Sequence, residues 1–214
     1  MFPGLSSFAA LAASALLAAT ASGAVAQSAG DFGLGVGVST LGPTVEGTYR
    51  VNDRFGLRVP AGYFAADFDG TEDGVDYDAD VELGGIGLLG DFFPGLGGLR
   101  LSAGAIYSLY SVDGRGRGSG TVGNTEYTDV DLRFDGDPRN EILPTAAIGY
   151  DGRIGRRWTL SADLGAMFTG GYDITLRDAS GRVSQDDIEA EIGDIEDDLP
   201  DVIPYVKFAV SFHF

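Results

Sequence analysis

YVKFAVSFHF, residues 205–214, is the stretch that decides the fold. Apolar side chains occupy every second position, at Val206, Phe208, Val210, Phe212 and Phe214. The positions between them are mostly polar. Strict alternation predicts a β-strand with one apolar face and one polar face. In a soluble sheet the apolar face packs on a protein core, whereas in an outer-membrane barrel it meets lipid and the polar face lines the lumen.

The first 26 residues predict an exported protein. They contain no charged residue, and an alanine-rich apolar stretch at 8–19 is followed by Ala24-Val25-Ala26 before Gln27. This small-x-small pattern is typical of a cleavage site, although no Lys or Arg precedes the apolar stretch as is usual. The apolar stretch is too short for a convincing transmembrane helix. We therefore expect a cleaved signal peptide at 1–26 and a single domain at 27–214.

Composition excludes several classes of function. The 214 residues carry 32 acidic and 14 basic side chains, for a net charge of −18, which argues against nucleic acid as a partner. There is no cysteine, so disulfide bridges and cysteine metal sites are excluded. The 34 glycines, 9 tyrosines and 13 phenylalanines are typical of twisted strands with aromatic girdles. We expect no cofactor.

Alternating segments recur along the whole chain and predict eight strands. Connections after the second, fourth and sixth strands are short, and most of the others are long, as in small outer-membrane barrels. The predicted fold is all-β: an eight-stranded antiparallel transmembrane β-barrel with one short amphipathic helix in the last external loop. One point stays open, because a hairpin within the long polar loop at 113–140 would make ten strands. A slip of the apolar phase near Gly84-Gly85 predicts a β-bulge.

Aromatic residues sort by height along these strands, as the two girdles of a membrane barrel require. The set expected at the short-turn end is Tyr49, Phe55, Phe93, Tyr150, Trp158 and Phe214, and the set at the long-loop end is Tyr63, Tyr107 and Phe168. A soluble lipocalin-like barrel is the competing interpretation. Its apolar positions would face inward.

Five segments carry a family resemblance: GVGVSTLGPTVEGTY (35–49), DYDADVELGGIGLLGD (76–91), LRLSAGAIY (99–107), LSADLGAMF (160–168) and the terminal strand. With them the chain resembles the small eight-stranded, outer-membrane protein A-like barrels and an uncharacterised set of proteobacterial outer-membrane barrels. The resemblance implies a monomer in the outer membrane of a Gram-negative bacterium, in contact with membrane lipid and lipopolysaccharide. The terminal strand resembles the signal that the outer-membrane assembly machinery reads, which would consist of Val206, Phe208, Val210, Phe212 and Phe214.

Charged side chains on the polar faces predict an ion-pair network in the lumen. Its expected members are Glu46, Arg50, Arg58, Glu82, Arg100, Asp163 and Lys207. An eight-stranded barrel is only wide enough to be filled by side chains or to hold one small ligand. Charges there are costly unless they are paired. We favour a network that plugs the barrel over a conducting pathway.

Two acidic segments invite functional interpretations. The segment 67–78 is expected to form a loop, and Asp67, Asp69, Asp73 and Asp76 could supply oxygen ligands to Ca²⁺, although most acidic loops are merely solvated. Residues 184–199 predict the helix, with a capping box of Ser184 and Asp187. That helix either folds over the barrel mouth or presents a docking face.

We expect no enzymatic activity and no catalytic residue. The single histidine is His213, and although Ser211 shares its face, no carboxylate is placed by the sequence to complete a triad. The expected role is structural or surface interaction: envelope integrity, adhesion or docking. The alternative is a narrow channel for small or apolar solutes. A lipid-modifying enzyme and a soluble lipocalin-like carrier have less support.

Overall fold

The computed structural model describes residues 30–72 and 75–214. The predicted signal peptide at 1–26 lies outside the described residues. Eleven strands and one helix follow one another in the order β1 Phe32–Ser39, β2 Gly42–Arg50, β3 Phe55–Glu72, β4 Val75–Phe92, β5 Leu99–Ser108, β6 Ser111–Val122, β7 Thr125–Pro138, β8 Ile142–Ile154, β9 Trp158–Phe168, β10 Tyr172–Asp178, α1 Gln185–Asp198 and β11 Val202–His213.

Eight of these strands close into a ring, in the order β1, β2, β3, β4, β5, β8, β9 and β11. Every pairing in the ring is antiparallel. The terminal strand closes it by pairing with β1, from Gly33 opposite His213 to Ser39 opposite Lys207. The predicted fold class is confirmed: this is an eight-stranded antiparallel barrel.

The outside of the barrel is apolar and its inside is polar. Val36 is 64% exposed and Leu164 is 61% exposed, while the alternate positions of the same strands face the lumen. On β11, Lys207 and Ser211 are buried. This arrangement is that of a transmembrane barrel, whose outer surface is in lipid. The lipocalin-like alternative is wrong, because it requires the apolar positions to face inward. No helix in the described part of the chain is long and apolar enough to cross a bilayer.

The aromatic girdles form largely as the sequence predicts. Tyr49 and Trp158 at one end and Tyr63 and Tyr107 at the other are exposed on the barrel wall. Phe93 is the exception, because it is buried inside the barrel. Its neighbour Phe92 lies on the outside instead and packs against Phe55, with ring centroids 5.3 Å apart.

Short turns and long extensions lie at opposite ends of the barrel. The turns at 51–54, 93–98 and 155–157 share one end with both chain termini of the barrel. The predicted acidic loop at 67–78 is wrong, because β3 and β4 continue through most of it as a paired ladder that ends at Glu72 opposite Val75. The segment 113–140 does contain a hairpin, β6–β7. It lies outside the ring, so the barrel keeps eight strands.

A second sheet rises above the barrel at the long-loop end, and we call it the outer sheet. It consists of the distal parts of β3 and β4 together with β6, β7 and β10, in that order. The helix α1 packs against β10 and touches β6. Its N-cap Ser184 accepts a hydrogen bond from the backbone N–H of Asp187, so the predicted capping residue is correct.

The two faces of β3 and β4 exchange character where these strands leave the membrane. Within the barrel the outward side chains are apolar, as at Leu88 and Ile86, but further along the same face they are Glu82 and Asp80. The inward face changes in the opposite sense. The β3–β4 register is constant along the whole ladder, so the bulge predicted at Gly84-Gly85 is absent from these described strands. The apparent slip in the apolar alternation of β4 therefore marks the point where the strand passes from lipid into water.

Candidate functional site in the barrel lumen

The middle of the lumen is filled by ion pairs centred on Arg58 of β3. Its Nη1 atom lies 2.6 Å from Oδ2 of Asp163, and its Nη2 atom lies 3.1 Å from Oδ1 of Asp91. Nη2 also donates to the hydroxyl of Ser102 at 3.0 Å. The side chain is completely buried, so its charge depends on these partners for compensation.

Two further cations complete the group. Arg100 of β5 lies 2.7 Å from Asp163 and 3.5 Å from Asp91. Lys207 of β11 pairs with Glu46 of β2 and lies 3.1 Å from Asp163. We call the six residues Glu46, Arg58, Asp91, Arg100, Asp163 and Lys207 the ionic layer. It has three positive and three negative groups, so it is balanced, and each charge meets at least one opposite charge.

Hydroxyl groups satisfy remaining acceptor positions of the ionic layer. Ser211 donates to Oε1 of Glu46 at 3.0 Å, and Ser102 donates to Oδ1 of Asp91 at 2.6 Å. The Nε atoms of Arg58 and Arg100 are buried and have no hydrogen-bond partner among the described residues. A network satisfied to this extent stiffens the wall, since each member fixes the rotamers of its neighbours.

Below the ionic layer, toward the short turns, Arg50 stacks on Phe93. The guanidinium carbon lies 3.3 Å from the centre of the ring, a cation–π contact. Asp151 lies nearby, 3.4 Å from Arg100. The inward turn of Phe93, which removes it from the girdle, therefore closes this end of the lumen.

Above the ionic layer, toward the long extensions, the lumen is filled by apolar side chains. We call this cluster the apolar layer. It consists of Leu41, Ile106, Leu143, Ala147, Met167 and Tyr205. Five of the six are completely buried, and Tyr110 and Ile203 pack against the cluster. The Tyr110 hydroxyl donates to the carbonyl of Thr40 at 3.0 Å, which ties the start of the outer sheet to the β1–β2 turn.

Very little space remains inside the barrel. The cavity beside Arg50, Phe93 and Asp151 has a volume of about 20 Å³, which is room for a single water molecule. Drug-sized ligands occupy pockets of roughly 300–1,000 Å³. The cavity beside Arg50, Phe93 and Asp151 is therefore too small for a drug-sized ligand.

The structure brings together five of the seven residues predicted for the lumen network: Glu46, Arg58, Arg100, Asp163 and Lys207. Arg50 is buried in the lumen but stacks on Phe93 beside the network. Glu82 is a correction. It is exposed on the outward face above the barrel and accepts a hydrogen bond from Tyr63. Its position follows from the exchange of faces along β4.

Two carboxylates of the lumen, Asp91 and Asp151, were not predicted. Asp91 shares the inward face of β4 with Leu89, and Asp151 lies near the end of β8, the strand with the weakest alternation. Asp91 lies opposite Gly56 of β3 and Ser102 of β5, which share their faces with the predicted lumen residues Arg58 and Arg100. Its inward position could therefore have been inferred from the pairing of these strands.

Of the predicted Ca²⁺ ligands, Asp67 and Asp69 lie on β3 and Asp76 on β4, while Asp73 lies outside the described residues. Asp76 accepts a hydrogen bond from the Thr71 hydroxyl at 2.7 Å. Within 30–72 and 75–214, no three acidic or histidine side chains converge as metal ligands would.

The outer sheet has its own charge pattern. Arg115 of β6 forms a two-pronged ion pair with Asp131 of β7, which lowers the pKa of Asp131. Asp113 lies opposite Asp135, and burial followed by this neighbouring carboxyl raises the pKa of Asp113. The sheet thus combines neutralised pairs with carboxylates that face like charges.

The comparisons with known proteins agree with this geometry. The crystal structure of Acinetobacter baumannii CarO superposes with a TM-score of 0.62 at 23% identity, over 85% of this chain and 97% of that one. Acinetobacter baumannii CarO2 gives 0.65 at 19% identity, over 88% and 100%. These likenesses show the barrel fold.

A more distant likeness, to a major outer membrane protein from Thermus thermophilus, has a TM-score of 0.41 at 12% identity, over 86% of this chain and 98% of that one, and carries no argument. No protein-family model and no curated protein matches the chain. The CarO likenesses agree with the barrel fold, and the apolar outer wall agrees with a transmembrane barrel.

Proposed function

We propose that this protein is a closed barrel in the outer membrane of a Gram-negative bacterium, with a structural role and a role in surface interaction. The filled lumen carries this proposal, because the ionic and apolar layers lie one above the other across the whole bore. A barrel whose lumen is filled by side chains can still act through its outer wall and through the outer sheet above the membrane. Envelope integrity, adhesion and docking are roles of that kind.

The outer sheet supports the surface role. It holds three strands that the ring does not need, and α1 braces it through hydrogen bonds from Gly123 to Glu191 and from Tyr127 to Asp187. Ordering the residues of such a platform costs conformational entropy, which favours a function for it. We infer that the protein is not an enzyme, since its single histidine, His213, is buried at the short-turn end of the lumen beside a cavity too small for a substrate.

The finer assignments remain part of this proposal. Membership among the outer-membrane protein A-like barrels is supported by the eight-stranded ring and by short turns at the end that holds the termini. The apolar outer wall would contact membrane lipid and lipopolysaccharide, and the terminal strand would engage the assembly machinery. We expect a monomer, because a closed ring leaves no barrel edge to share.

A narrow channel for small or apolar solutes is the second candidate. It would need the two layers to move apart, and their ion pairs and fully buried side chains weigh against such motion. Bilayer recordings test the main proposal. The folded protein should give no steady conductance, whereas reproducible single-channel steps would favour the channel.

The surface role needs a separate test in cells. A variant in which a short turn replaces residues 111–138 would lose β6 and β7 while keeping the ring. We expect normal membrane insertion but altered adhesion or cell–cell aggregation. Unchanged surface behaviour together with increased detergent sensitivity would leave envelope integrity as the role.

A further inference from the structure

The outer sheet has an open edge along β3. The β2–β3 ladder ends with Thr44 opposite Gly62, because the β1–β2 hairpin turns at Thr40 and Leu41. β3 continues to Glu72, paired with β4 on its other side only. Along 64–71, no strand within the described ranges takes up the backbone groups on the far side. Such an edge is a template for an added strand.

From Ala66 to Asp69 the open edge alternates between apolar and acidic side chains. Phe64, Ala66 and Phe68 point to the inward face of the sheet, and Asp67 and Asp69 point outward. Phe68 is 60% exposed, so the described residues cover its ring only in part. An added strand would therefore meet an apolar row on one face and an acidic row on the other.

The acidic row extends onto the neighbouring strand. The outward face of distal β4 carries Asp76, Asp78, Asp80 and Glu82. Asp67 lies directly opposite Asp80, and the neighbouring Asp67 carboxyl raises the pKa of Asp80. The nearest basic side chains are Arg115 and Arg117 on β6. Arg115 already forms an ion pair with Asp131, and Asp131 also lies 3.8 Å from Arg117. The hairpin thus has carboxylates without enough cations.

We propose that the open edge of β3 binds an extended polypeptide segment in which basic and apolar residues alternate. The segment would add a strand beside 64–71, its backbone pairing with β3. Its basic side chains would lie over Asp67 and Asp69, and its apolar ones beside Phe64 and Phe68. This rests on the proposed surface role and names the chemistry of the partner.

The charge pattern favours such a peptide over a second copy of this chain. Two β3 edges paired with each other would bring Asp67 and Asp69 of one copy against the same residues of the other. Like charges directly opposite one another destabilise a pair of strands. A segment with lysine or arginine at every second position relieves the repulsion that the edge already contains.

Fluorescence anisotropy with a defined probe tests the proposal. The probe is a labelled octapeptide of alternating lysine and valine, added to the full mature protein in zwitterionic micelles, with empty micelles as a blank. A peptide of the same composition in block order, four lysines and then four valines, is its control. We expect the alternating peptide alone to bind saturably, and hydrogen exchange to slow at the backbone amides of 64–71.

Matched variants separate a site from general attraction to an acidic protein. Asp67→Asn with Asp69→Asn should weaken binding by about fivefold or more, the loss expected for two exposed ion pairs. Asp194→Asn with Asp197→Asn removes the same charge from α1, where both side chains are exposed, and should leave binding unchanged.

Equal weakening by both pairs of variants, no saturable binding, or protection of amides elsewhere would overturn the proposal. A dimer of the peptide-free protein in sedimentation, strengthened in the Asp67→Asn with Asp69→Asn variant by the loss of like-charge repulsion, would identify a second copy as the occupant and overturn it as well. The proposed function is tested separately. If the peptide does not bind but the barrel does not conduct and the shortened variant shows altered adhesion, only the peptide-binding proposal is overturned.

Discussion

Arg58 and Asp163 stand on opposite walls of the barrel, and their side chains meet at 2.6 Å across the lumen. Arg58 is on β3 and Asp163 is on β9, four strands away in either direction around the ring. Both are completely or almost completely buried. An ion pair that reaches across the bore fills part of its middle, and the proposal of a closed barrel rests on this contact and its neighbours.

Asp163→Ala should destabilise the barrel by about 3–5 kcal/mol, the cost of removing one partner from a buried network. Asp163 holds Arg58, Arg100 and Lys207, all of which would keep their charge in the lumen. Urea unfolding from lipid vesicles measures the change. Asp173→Ala, which breaks the exposed pair with Arg139, is the control and should have little effect. Equal losses in both variants would contradict a central role for Asp163.

Opening the bore should require changes in both layers. Arg58→Ala with Asp163→Ala preserves the charge balance and removes the central pair of the ionic layer, but the apolar layer stays in place. Leu143→Ala with Met167→Ala does the reverse. We expect each double variant to remain closed in bilayer recordings, and the quadruple variant to conduct once Phe93→Ala also opens the short-turn end. Conductance in either double variant would show that one layer alone forms the seal.

The contact between α1 and the β6–β7 hairpin should depend on pH through Asp187. Hydrogen bonds from Tyr127 and then Ser184 lower the pKa of its carboxyl. Because the folded pKa lies below the unfolded value of about 3.9, the stabilisation is present above that value and is lost as pH falls through the folded pKa.

Hydrogen exchange of the α1 amides, compared between wild type and Asp187→Asn, measures this effect. The variant should exchange faster at pH 7, and the difference should disappear in strong acid. Asp186→Asn removes the neighbouring carboxylate and serves as the control. A difference that is constant with pH would show that Asp187 acts through packing and not through its charge.

Leu164→Arg should cost about 2–4 kcal/mol if the barrel wall lies in lipid, the depth-dependent penalty for a cation facing the bilayer centre. Leu164 is in the middle of β9 and points outward. The free energy of unfolding from vesicles tests this expectation, with Thr175→Arg in the outer sheet as a control. A cost no greater than that of the control would place this side chain in water.

Phe214→Ser should reduce assembly in cells while the barrel still folds into vesicles. The centre of the Phe214 ring lies 5.2 Å from that of Phe212 and 6.1 Å from that of Phe32. Losing the ring therefore removes only contacts at the rim of the folded barrel. Phe32→Ser removes one of the same contacts but leaves the terminal strand intact. The folded fraction is measured by the heat-dependent shift in electrophoresis. Equal assembly of the two variants would contradict a recognition role for the terminus.

Alternation predicted the ring well because one physical requirement governs it. Each barrel strand must present apolar side chains to lipid, and so Leu164, Val206 and Ile148 could be assigned to the outer wall from their spacing. The same rule failed at Glu82. There the strand has left the membrane, and the face that meets lipid lower down meets water. The sequence shows the exchange of apolar and polar positions at Gly84-Gly85. It does not distinguish a β-bulge from a regular strand that passes from lipid into water.

By itself the sequence determined the transmembrane barrel, its orientation of faces and most of its lumen charges, since period and polarity are local properties of a strand, and it left a choice between eight strands and ten. Only the tertiary structure decided which charges meet. Arg58 and Asp163 are 105 residues apart and become partners through ring closure. The tertiary structure also turned Phe93 inward against Arg50 and extended the sheet from β4 through β6 and β7 to β10. Contacts across a lumen depend on how many strands close the ring, and no single segment contains that number.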